Sequence, residues 1–157
     1  MRLERLRPTH LATGGWRAHP ADRSRERGKE RVLPPREILV VDDDPDIREG
    51  LAEVLKSEGY SVRTAADGAD ALRQIRARRV DLIVLDLMMP VMDGWQFRRA
   101  QRHERAIANI PVIVVTASGA QVADADAVLR KPFELSDLLR EVNERCGRPG
   151  GDGEARP

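Results

Sequence analysis

Aspartates directly follow two of the short apolar segments in this chain. The segment "EILVV" leads into Asp42, Asp43 and Asp44. The segment "DLIVL" leads into a single carboxylate, Asp86. Carboxylate oxygens are the ligands that hard divalent cations prefer in proteins, and an aspartate can also act as a covalent nucleophile. What these residues can do together depends on whether the fold brings the two segments side by side.

The apolar segments alternate along the chain with segments of helical period. The apolar runs predict buried strands over residues 37–43, 60–65, 81–86, 110–116 and 125–130. The first helix is predicted to begin at Asp44 and Pro45 and to end at Gly59, because these residue types suit a cap, a first turn and a helix end. Later helices are predicted from apolar spacing at Ala69, Leu72 and Ile75, at Trp95, Phe97 and Ala100, and over 134–146 with Leu135, Leu138, Leu139 and Val142 on one face.

This alternation predicts an α/β fold with a parallel sheet, because each parallel strand needs a crossover connection. Five strands in about 110 residues suit a flavodoxin-like, doubly wound five-stranded sheet of order 2-1-3-4-5. In that order the first and third strands are neighbours, and ligands bind at the carboxyl ends of the strands. The aspartates that follow these two strands should therefore meet at one edge of the sheet.

The same edge should receive polar residues from the other strands. The fourth strand ends in Thr116, and the fifth is followed by Lys131 and Pro132. At least three carboxylates would converge there, and like charges that lie so close cannot all stay ionised and unpaired. Their counter-charge must come from a divalent cation, from Lys131, or from both. An all-oxygen site with few carboxylates suits Mg²⁺ better than Ca²⁺.

Composition limits the class of protein further. The chain has 157 residues, 41% of them hydrophobic, with no apolar run long enough to span a bilayer. Residues 1–36 carry a net charge of +6 and residues 37–146 a net charge of −5. We expect one domain over residues 37–146, between a disordered basic tail (1–36) and a disordered tail rich in glycine and proline (147–157). A single cysteine, Cys146, is typical of a reducing, cytoplasmic setting, and the scattered histidines argue against zinc.

Four motifs in this order resemble the receiver domain of bacterial two-component response regulators. They are "ILVVDDD", "DLIVLDLMMPVMDG", "VIVVTAS" and "LRKPF", and the resemblance covers residues 37–146. It implies a signalling phosphoacceptor rather than an enzyme that acts on other substrates. It also implies Mg²⁺ as the cofactor, a histidine kinase or phosphotransfer protein as the phosphoryl donor, and an unknown downstream protein partner.

The resemblance further implies which residues form the metal site. Asp86 would be both the phosphoacceptor and a metal ligand. Asp42 and Asp43 would hold Mg²⁺, with Asp43 as the more direct ligand of the two. The backbone carbonyl of Met88 would supply one more ligand, a role that does not depend on its side chain.

Other motif residues would act on the phosphoryl group or shape the site. Thr116 would hydrogen-bond the phosphoryl oxygens, and Lys131 would form an ion pair with them. Pro132 is expected to follow a cis peptide bond. Pro90, Asp93 and Gly94 are expected to shape the turn that leaves Asp86.

Two features depart from the family pattern. The position three residues before the lysine, usually aromatic, is occupied by Val128, which cannot move between exposed and buried ring positions. Only the eight residues "ASGAQVAD" separate Thr116 from Ala125. A crossover with its helix needs at least ~10–12 residues, so we expect the helix between strands four and five to be shortened or missing. We expect signal readout near the first helix or through this connection.

Three hypotheses about function remain open. The first is a stand-alone receiver, because only eleven residues follow Cys146; it would change partner binding when phosphorylated or pass the phosphoryl group along a relay. The second is a vestigial receiver that acts as a constitutive protein-interaction module, which Val128 and the short connection favour. The third is nucleic-acid binding through the basic tail, which rests on charge alone and is disfavoured. Translation that begins near Val32 would remove that tail.

Overall fold

The computed structural model describes residues 33–117, 119 and 122–150, and this part of the chain forms five strands and four helices. In chain order the elements are β1 (Glu37–Val41), α1 (Pro45–Ser57), β2 (Ser61–Ala65), α2 (Gly68–Ala77), β3 (Leu82–Asp86), α3 (Gly94–His103), β4 (Val112–Thr116), β5 (Ala127–Arg130) and α4 (Leu135–Cys146). No helix in these described ranges is long and apolar enough to cross a membrane. Most of the two predicted tails lies outside the described residues.

The strands form one parallel sheet of order β2-β1-β3-β4-β5. The predicted fold class and strand order are confirmed. All side chains of β1, β3 and β4 are buried, because helices cover these strands on both faces. The register places Asp86 beside Val115, and Thr116 beside Arg130. The last residues of β3, β4 and β5 therefore lie along one edge of the sheet.

Alternate side chains of the strands build two core layers. On one face Leu39, Ile83 and Val114 pack with apolar side chains of α2 and α3. The residue that follows each of them in its strand points to the other face and packs with side chains of α1 and α4. This period of two fixes which strand residues face which helices.

Aspartate side chains cap the three helices that begin beside the carboxyl edge of β1, β2 and β3. Asp44 accepts hydrogen bonds from two N–H groups of α1, Asp67 accepts one from α2, and Asp93 accepts one from α3. Asp93 and Gln96 complete a reciprocal capping box, which satisfies two backbone donors that have no intrahelical partner. Gly59 follows α1 with a φ of +94°, as expected for a glycine after a helix end.

The buried side of α4 differs from its prediction at one position. Leu138, Val142 and Cys146 form a buried stripe at intervals of four residues. Leu135, which the sequence analysis placed on the packed face, is 41% exposed. It is the first residue of the helix and lies one turn before this stripe, where the core does not cover it.

A similar correction applies to α2. The buried residues of this helix are Gly68, Ala71, Leu72 and Ile75. Ala69, which the sequence analysis counted among the apolar positions of this helix, is exposed. The buried positions recur at i, i+3, i+4 and i+7, and Ala69 falls outside that face.

No helix is found between β4 and β5 in the described residues, so the predicted loss of the crossover helix is confirmed. Two arginines from neighbouring helices hold the second half of the connection. Arg98 of α3 donates to the carbonyl of Asp124, and Arg145 of α4 donates to the carbonyl of Asp126. The Asp126 carboxylate accepts the N–H of Val112 at 2.8 Å, which fixes the connection to the start of β4.

Arg98 is an unusual residue to find in the core of a small domain. It is only 9% exposed, and its guanidinium also donates to Gln101 Oε1 at 2.7 Å. Burial lowers the pKa of Arg98 from its ordinary value, and the carboxylates of Asp126 and Asp124 oppose that shift. A buried cation with hydrogen-bonding partners thus lies beside the connection between β4 and β5.

The two leucines of α4 give a direct test of which face packs. We expect Leu138→Ala to lower the free energy of unfolding by about 2–5 kcal/mol, because Leu138 is fully buried and its truncation leaves a cavity. Leu135→Ala is the matched control and should change the free energy of unfolding by less than about 0.5 kcal/mol. Urea unfolding of the two variants measures both values, and equal losses would contradict the observed orientation of α4.

Candidate functional site

Carboxylates from two strand ends meet at the carboxyl edge of the sheet. Asp42 and Asp43 directly follow β1, and Asp86 is the last residue of β3. Ligand oxygens of these three residues all lie within 4.8 Å of one another. Within the described part of the chain this is the one cluster of three or more side chains of metal-binding type. The structure therefore brings together the carboxylates that the sequence analysis selected.

Lys131 brings a positive charge to these carboxylates from the end of β5. Its Nζ lies 3.1 Å from Asp42 Oδ2 and 3.9 Å from Asp86 Oδ2. Its backbone N–H donates to the carbonyl of Thr116 at 2.9 Å, which ties the end of β5 to the end of β4. The peptide bond between Lys131 and Pro132 is cis, as the resemblance implies.

The two aspartates that follow β1 have different surroundings. Asp42 is 2% exposed, with Oδ1 accepting the N–H of Asp44 at 2.9 Å and Oδ2 facing Lys131. Asp43 is exposed and makes no hydrogen bond or ion pair with the described residues. Asp42 is therefore already held by the protein, whereas both oxygens of Asp43 are available to a cation.

Arg48 stabilises the turn that carries both aspartates. Its guanidinium donates to the backbone carbonyl of Asp42 at 2.8 Å, and its own N–H donates to the carbonyl of Asp44 at 2.9 Å. Arg48 was not among the residues predicted from the sequence. The sequence shows only that Arg48 lies in the first turns of α1, and many arginines at such positions make no contact.

Asp86 lies in surroundings that disfavour its ionised form. Burial raises the pKa of this carboxyl above its ordinary value of 3.8. Lys131 and the N–H groups of Met88 and Leu87 lower the pKa of Asp86, and the negative charge of Asp42 raises it. The net direction is upward, so the folded protein holds an Asp86 charge that is incompletely compensated by its protein neighbours.

The loop that leaves Asp86 folds back beneath it. The N–H of Met88 approaches Asp86 Oδ1 at 3.3 Å, and the N–H of Gly94 donates to the carbonyl of Leu87 at 3.0 Å. A Cβ on Gly94 would lie 2.7 Å from both the Asp86 carbonyl oxygen and the Leu87 Cα. The close approach at the start of α3 therefore requires glycine, which adds a packing reason to the turn predicted at Asp93 and Gly94.

The donor set of this site fits Mg²⁺. The clustered ligands are oxygens alone, the carboxylates are few, and the exposed Asp43 leaves one side open to water. Mg²⁺ binds such sites through one or two carboxylates while keeping several waters. A cation bound here would also offset the negative charge of the buried Asp86 carboxylate, whose pKa is raised by burial and by Asp42.

Two further positions singled out in the sequence are Thr116, at the end of β4, and Val128, in β5. Thr116 is fully buried at the end of β4 and interacts with its surroundings. Val128 is 38% exposed. It lines a groove of about 310 Å³ together with Leu129, Arg130, Pro132, Phe133, Glu134 and Asp137.

Comparison with known proteins identifies the family. Residues 38–143 match the response regulator receiver domain, and this chain belongs to that family. It is 38% identical over 118 residues to the DNA-binding response regulator MtrA of Mycolicibacterium smegmatis, a match that covers 71% of this chain and 50% of MtrA. The chain thus matches about half the length of the curated relatives to which it is similar.

Solved structures of receiver proteins share the fold. The chemotaxis protein CheY4 of Vibrio cholerae is 32% identical with a TM-score of 0.66, and the match covers 71% of this chain and 99% of CheY4. The response regulator protein TrrA of Thermotoga maritima, solved in complex with Mg²⁺-BeF, is 34% identical with a TM-score of 0.64. That match covers 69% of this chain and 97% of TrrA.

The surroundings of Asp86 predict that neutralising it stabilises the metal-free protein. We expect Asp86→Asn to raise the free energy of unfolding at pH 7 in the presence of a chelator, because the substitution removes a buried, incompletely compensated charge. Glu53→Gln on the exposed face of α1 controls for the change in net charge. A less stable Asp86→Asn protein under these conditions would contradict the electrostatic account.

The difference in the free energy of unfolding between Asp86→Asn and the wild type should also depend on pH. Because the folded-state pKa of Asp86 is raised, its contribution to stability is fully present below the ordinary pKa of 3.8 and is lost as the pH rises through the folded-state pKa. The advantage of Asp86→Asn over the wild type should therefore be small near pH 3.8 and grow to a plateau above it. Denaturant unfolding of both proteins across this range measures the trend, and an advantage that shrinks with rising pH would have the wrong sign.

Proposed function

We propose that this chain is the phosphoacceptor of a two-component signalling system or phosphorelay and that Asp86 receives the phosphoryl group. The observation that carries the proposal is the convergence of Asp42, Asp43 and Asp86 with Lys131 at one edge of the sheet. The donor would be the phosphohistidine of a histidine kinase or of a phosphotransfer protein. Membership of the receiver family supports this assignment.

The transfer step follows from the position of Asp86. One of its carboxylate oxygens forms a bond to phosphorus while the P–N bond of the phosphohistidine breaks. The imidazole nitrogen keeps the electron pair of that bond and takes up a proton, and Asp86 becomes an acyl phosphate. The step brings further negative charge beside Lys131, whose Nζ is already 3.9 Å from Asp86 Oδ2. A lysine in this place neutralises phosphoryl oxygens as their charge develops.

We propose Mg²⁺ as the cofactor of this step, held by Asp43 and Asp86 with Asp42 beside them and the Met88 carbonyl as a further ligand. When bound, Mg²⁺ would supply charge neutralisation between the carboxylates and the phosphoryl oxygens. The oxygen-only donor set and the structure of TrrA with Mg²⁺-BeF support this assignment. Arg48 would keep the turn between β1 and α1 in place through the Asp42 carbonyl.

The biological role follows from the same chemistry. We propose a signalling protein of the bacterial cytoplasm whose own phosphorylation and dephosphorylation are its only reactions, and whose phosphorylated form binds a downstream protein differently. Phosphorylation is a local change of charge that a two-state arrangement of loops can report. MtrA is named as a DNA-binding response regulator and is about twice as long as the matched region, so the output of the whole protein is a separate question.

A second candidate function is a constitutive protein-interaction module. Two observations favour it: Val128 stands where the family usually has an aromatic residue, and no described helix joins β4 to β5. The grouping of Asp42, Asp43, Asp86 and Lys131 argues against it, because a module without phosphotransfer has no use for three crowded carboxylates.

Acetyl phosphate separates the two functions. With Mg²⁺, the wild-type chain should gain the mass of one phosphoryl group, and Asp86→Asn should not. Asp81→Asn is the matched control, because Asp81 precedes the same strand at the opposite end of the sheet and its carboxylate accepts the N–H of Glu37. Replacement of Lys131 by alanine should slow phosphorylation about tenfold or more.

Mass spectrometry of the intact protein gives the extent of labelling. Beryllofluoride with Mg²⁺ should also change the fluorescence of Trp95, which is part-exposed at the start of α3 after the Asp86 loop. No mass gain on the wild type, or an equal gain on Asp86→Asn, would defeat the phosphoacceptor assignment and leave the interaction module.

A further inference from the structure

The loop between β3 and α3, residues 87–93, is held by its own backbone at two points. At its base the N–H of Gly94 donates to the Leu87 carbonyl at 3.0 Å. At its tip the N–H of Met92 donates to the Pro90 carbonyl at 2.8 Å, which closes a γ-turn around Val91. Val91 has a φ of +67°, and a γ-turn with positive φ at its centre is the rarer and more strained form.

A third support comes from another helix. Gly68, the first residue of α2, donates its N–H to the Met92 carbonyl at 3.0 Å. The first N–H groups of a helix have no intrahelical partner, so this bond uses a donor that α2 leaves over. The loop that carries Met88 is therefore fastened to the N-terminus of α2.

The contact is too close for any residue but glycine. A Cβ on Gly68 would lie 2.8 Å from Met92 Cγ, 2.9 Å from Met92 O and 3.1 Å from Met92 Sδ. Any side chain at this position would push the backbone and the side chain of Met92 away from α2. Gly68 is buried beneath the loop, so the added atom has no open space to occupy.

A shift of Met92 would not stay local. Leu87 and Met89 are buried in the same core layer against which Met92 packs. The γ-turn also links Met92 to Pro90 through one short hydrogen bond. Displacement at Met92 is thus passed to the segment that follows Asp86, both through the backbone and through packed side chains.

We propose that Gly68 is a positioning residue for the metal site. It touches no reacting atom, and it acts through Met92 by fixing the position of the loop that carries Met88, whose N–H lies 3.3 Å from Asp86 Oδ1 and whose carbonyl is the proposed Mg²⁺ ligand. The inference rests on the proposed function, because the Met88 carbonyl matters only if this edge of the sheet binds Mg²⁺. The simpler alternative is that Gly68 serves only the packing of α2, in which case its substitution changes stability and not Mg²⁺ affinity.

The test compares two glycines that both lie in helices. Gly68→Ala should weaken Mg²⁺ binding about tenfold, the size of effect seen when groups that orient metal ligands are removed. Gly50→Ala in α1 is the matched control, because a Cβ there meets nothing within 4 Å, and its Mg²⁺ affinity should equal that of the wild type. Calorimetric titration with Mg²⁺ measures all three proteins without any phosphorylation.

A rescue variant separates positioning from a general loss of structure. Met92→Ala removes the Cγ and Sδ atoms and leaves the carbonyl oxygen of residue 92 in place. The loss of Mg²⁺ affinity caused by Gly68→Ala should be smaller in the Met92→Ala background than in the wild-type background, because only the 2.9 Å approach to the Met92 oxygen remains there. If Gly68→Ala does not fold, comparing the double variant with Met92→Ala applies the same test, because the 2.9 Å approach to the Met92 oxygen persists in it.

Each outcome has one interpretation. Equal Mg²⁺ affinities for wild type and Gly68→Ala, or for Met92→Ala and the double variant if Gly68→Ala does not fold, would overturn the positioning role and leave the proposed function standing. A wild-type chain that binds Mg²⁺ but takes up no phosphoryl group would overturn the proposed function. The comparison of Mg²⁺ affinities among the wild type and its variants would still decide the role of Gly68. A wild-type chain that binds no Mg²⁺ would overturn the metal assignment and the positioning role together.

Discussion

Three carboxylates held within 4.8 Å of one another are the constraint around which this edge of the domain is built. Their repulsion opposes folding, so neighbouring elements must hold in place the strand ends that carry them. Strand order brings β1 beside β3 and so places Asp42 near Asp86, and β5 brings Lys131 to both of them. The helices cover the strands on both faces, so the strands themselves can be short and apolar. The charged residues then lie at the ends of these apolar runs, along a common edge.

Much of this arrangement could be predicted from the sequence, because buried strands are short, apolar and bounded by changes of residue type. The position of Asp86 at the end of such a run, and the loss of one crossover helix, follow directly from counting residues. Arg48 and the contact between Gly68 and Met92 could not be predicted in this way. The contact between Gly68 and Met92 joins segments that are distant in sequence, and Arg48 binds a single backbone carbonyl. Neither kind of contact produces a periodic pattern or a motif in the sequence.

Helix faces were predicted less well than strand ends, for a related reason. A leucine at helical spacing is compatible with a packed face, but only the extent of the covering sheet decides whether it is buried. Leu135 and Leu138 share one helix and one residue type, and they differ from 41% to 0% exposure. Arg98 and Arg145, which donate to backbone carbonyls of the connection between β4 and β5, were not predicted because a charged side chain is expected on the surface.

The strand that supplies Lys131 is also the least supported strand of the sheet. β5 has four residues, lies at the edge beside β4 alone, and follows a connection without a helix in its described part. Elements with few neighbours open locally at less free energy than the whole domain needs to unfold. Each opening of β5 would withdraw Lys131 from the two aspartates that it contacts. The electrostatic balance of the site would then follow the native-state fluctuations of one edge strand, on a faster timescale than global unfolding.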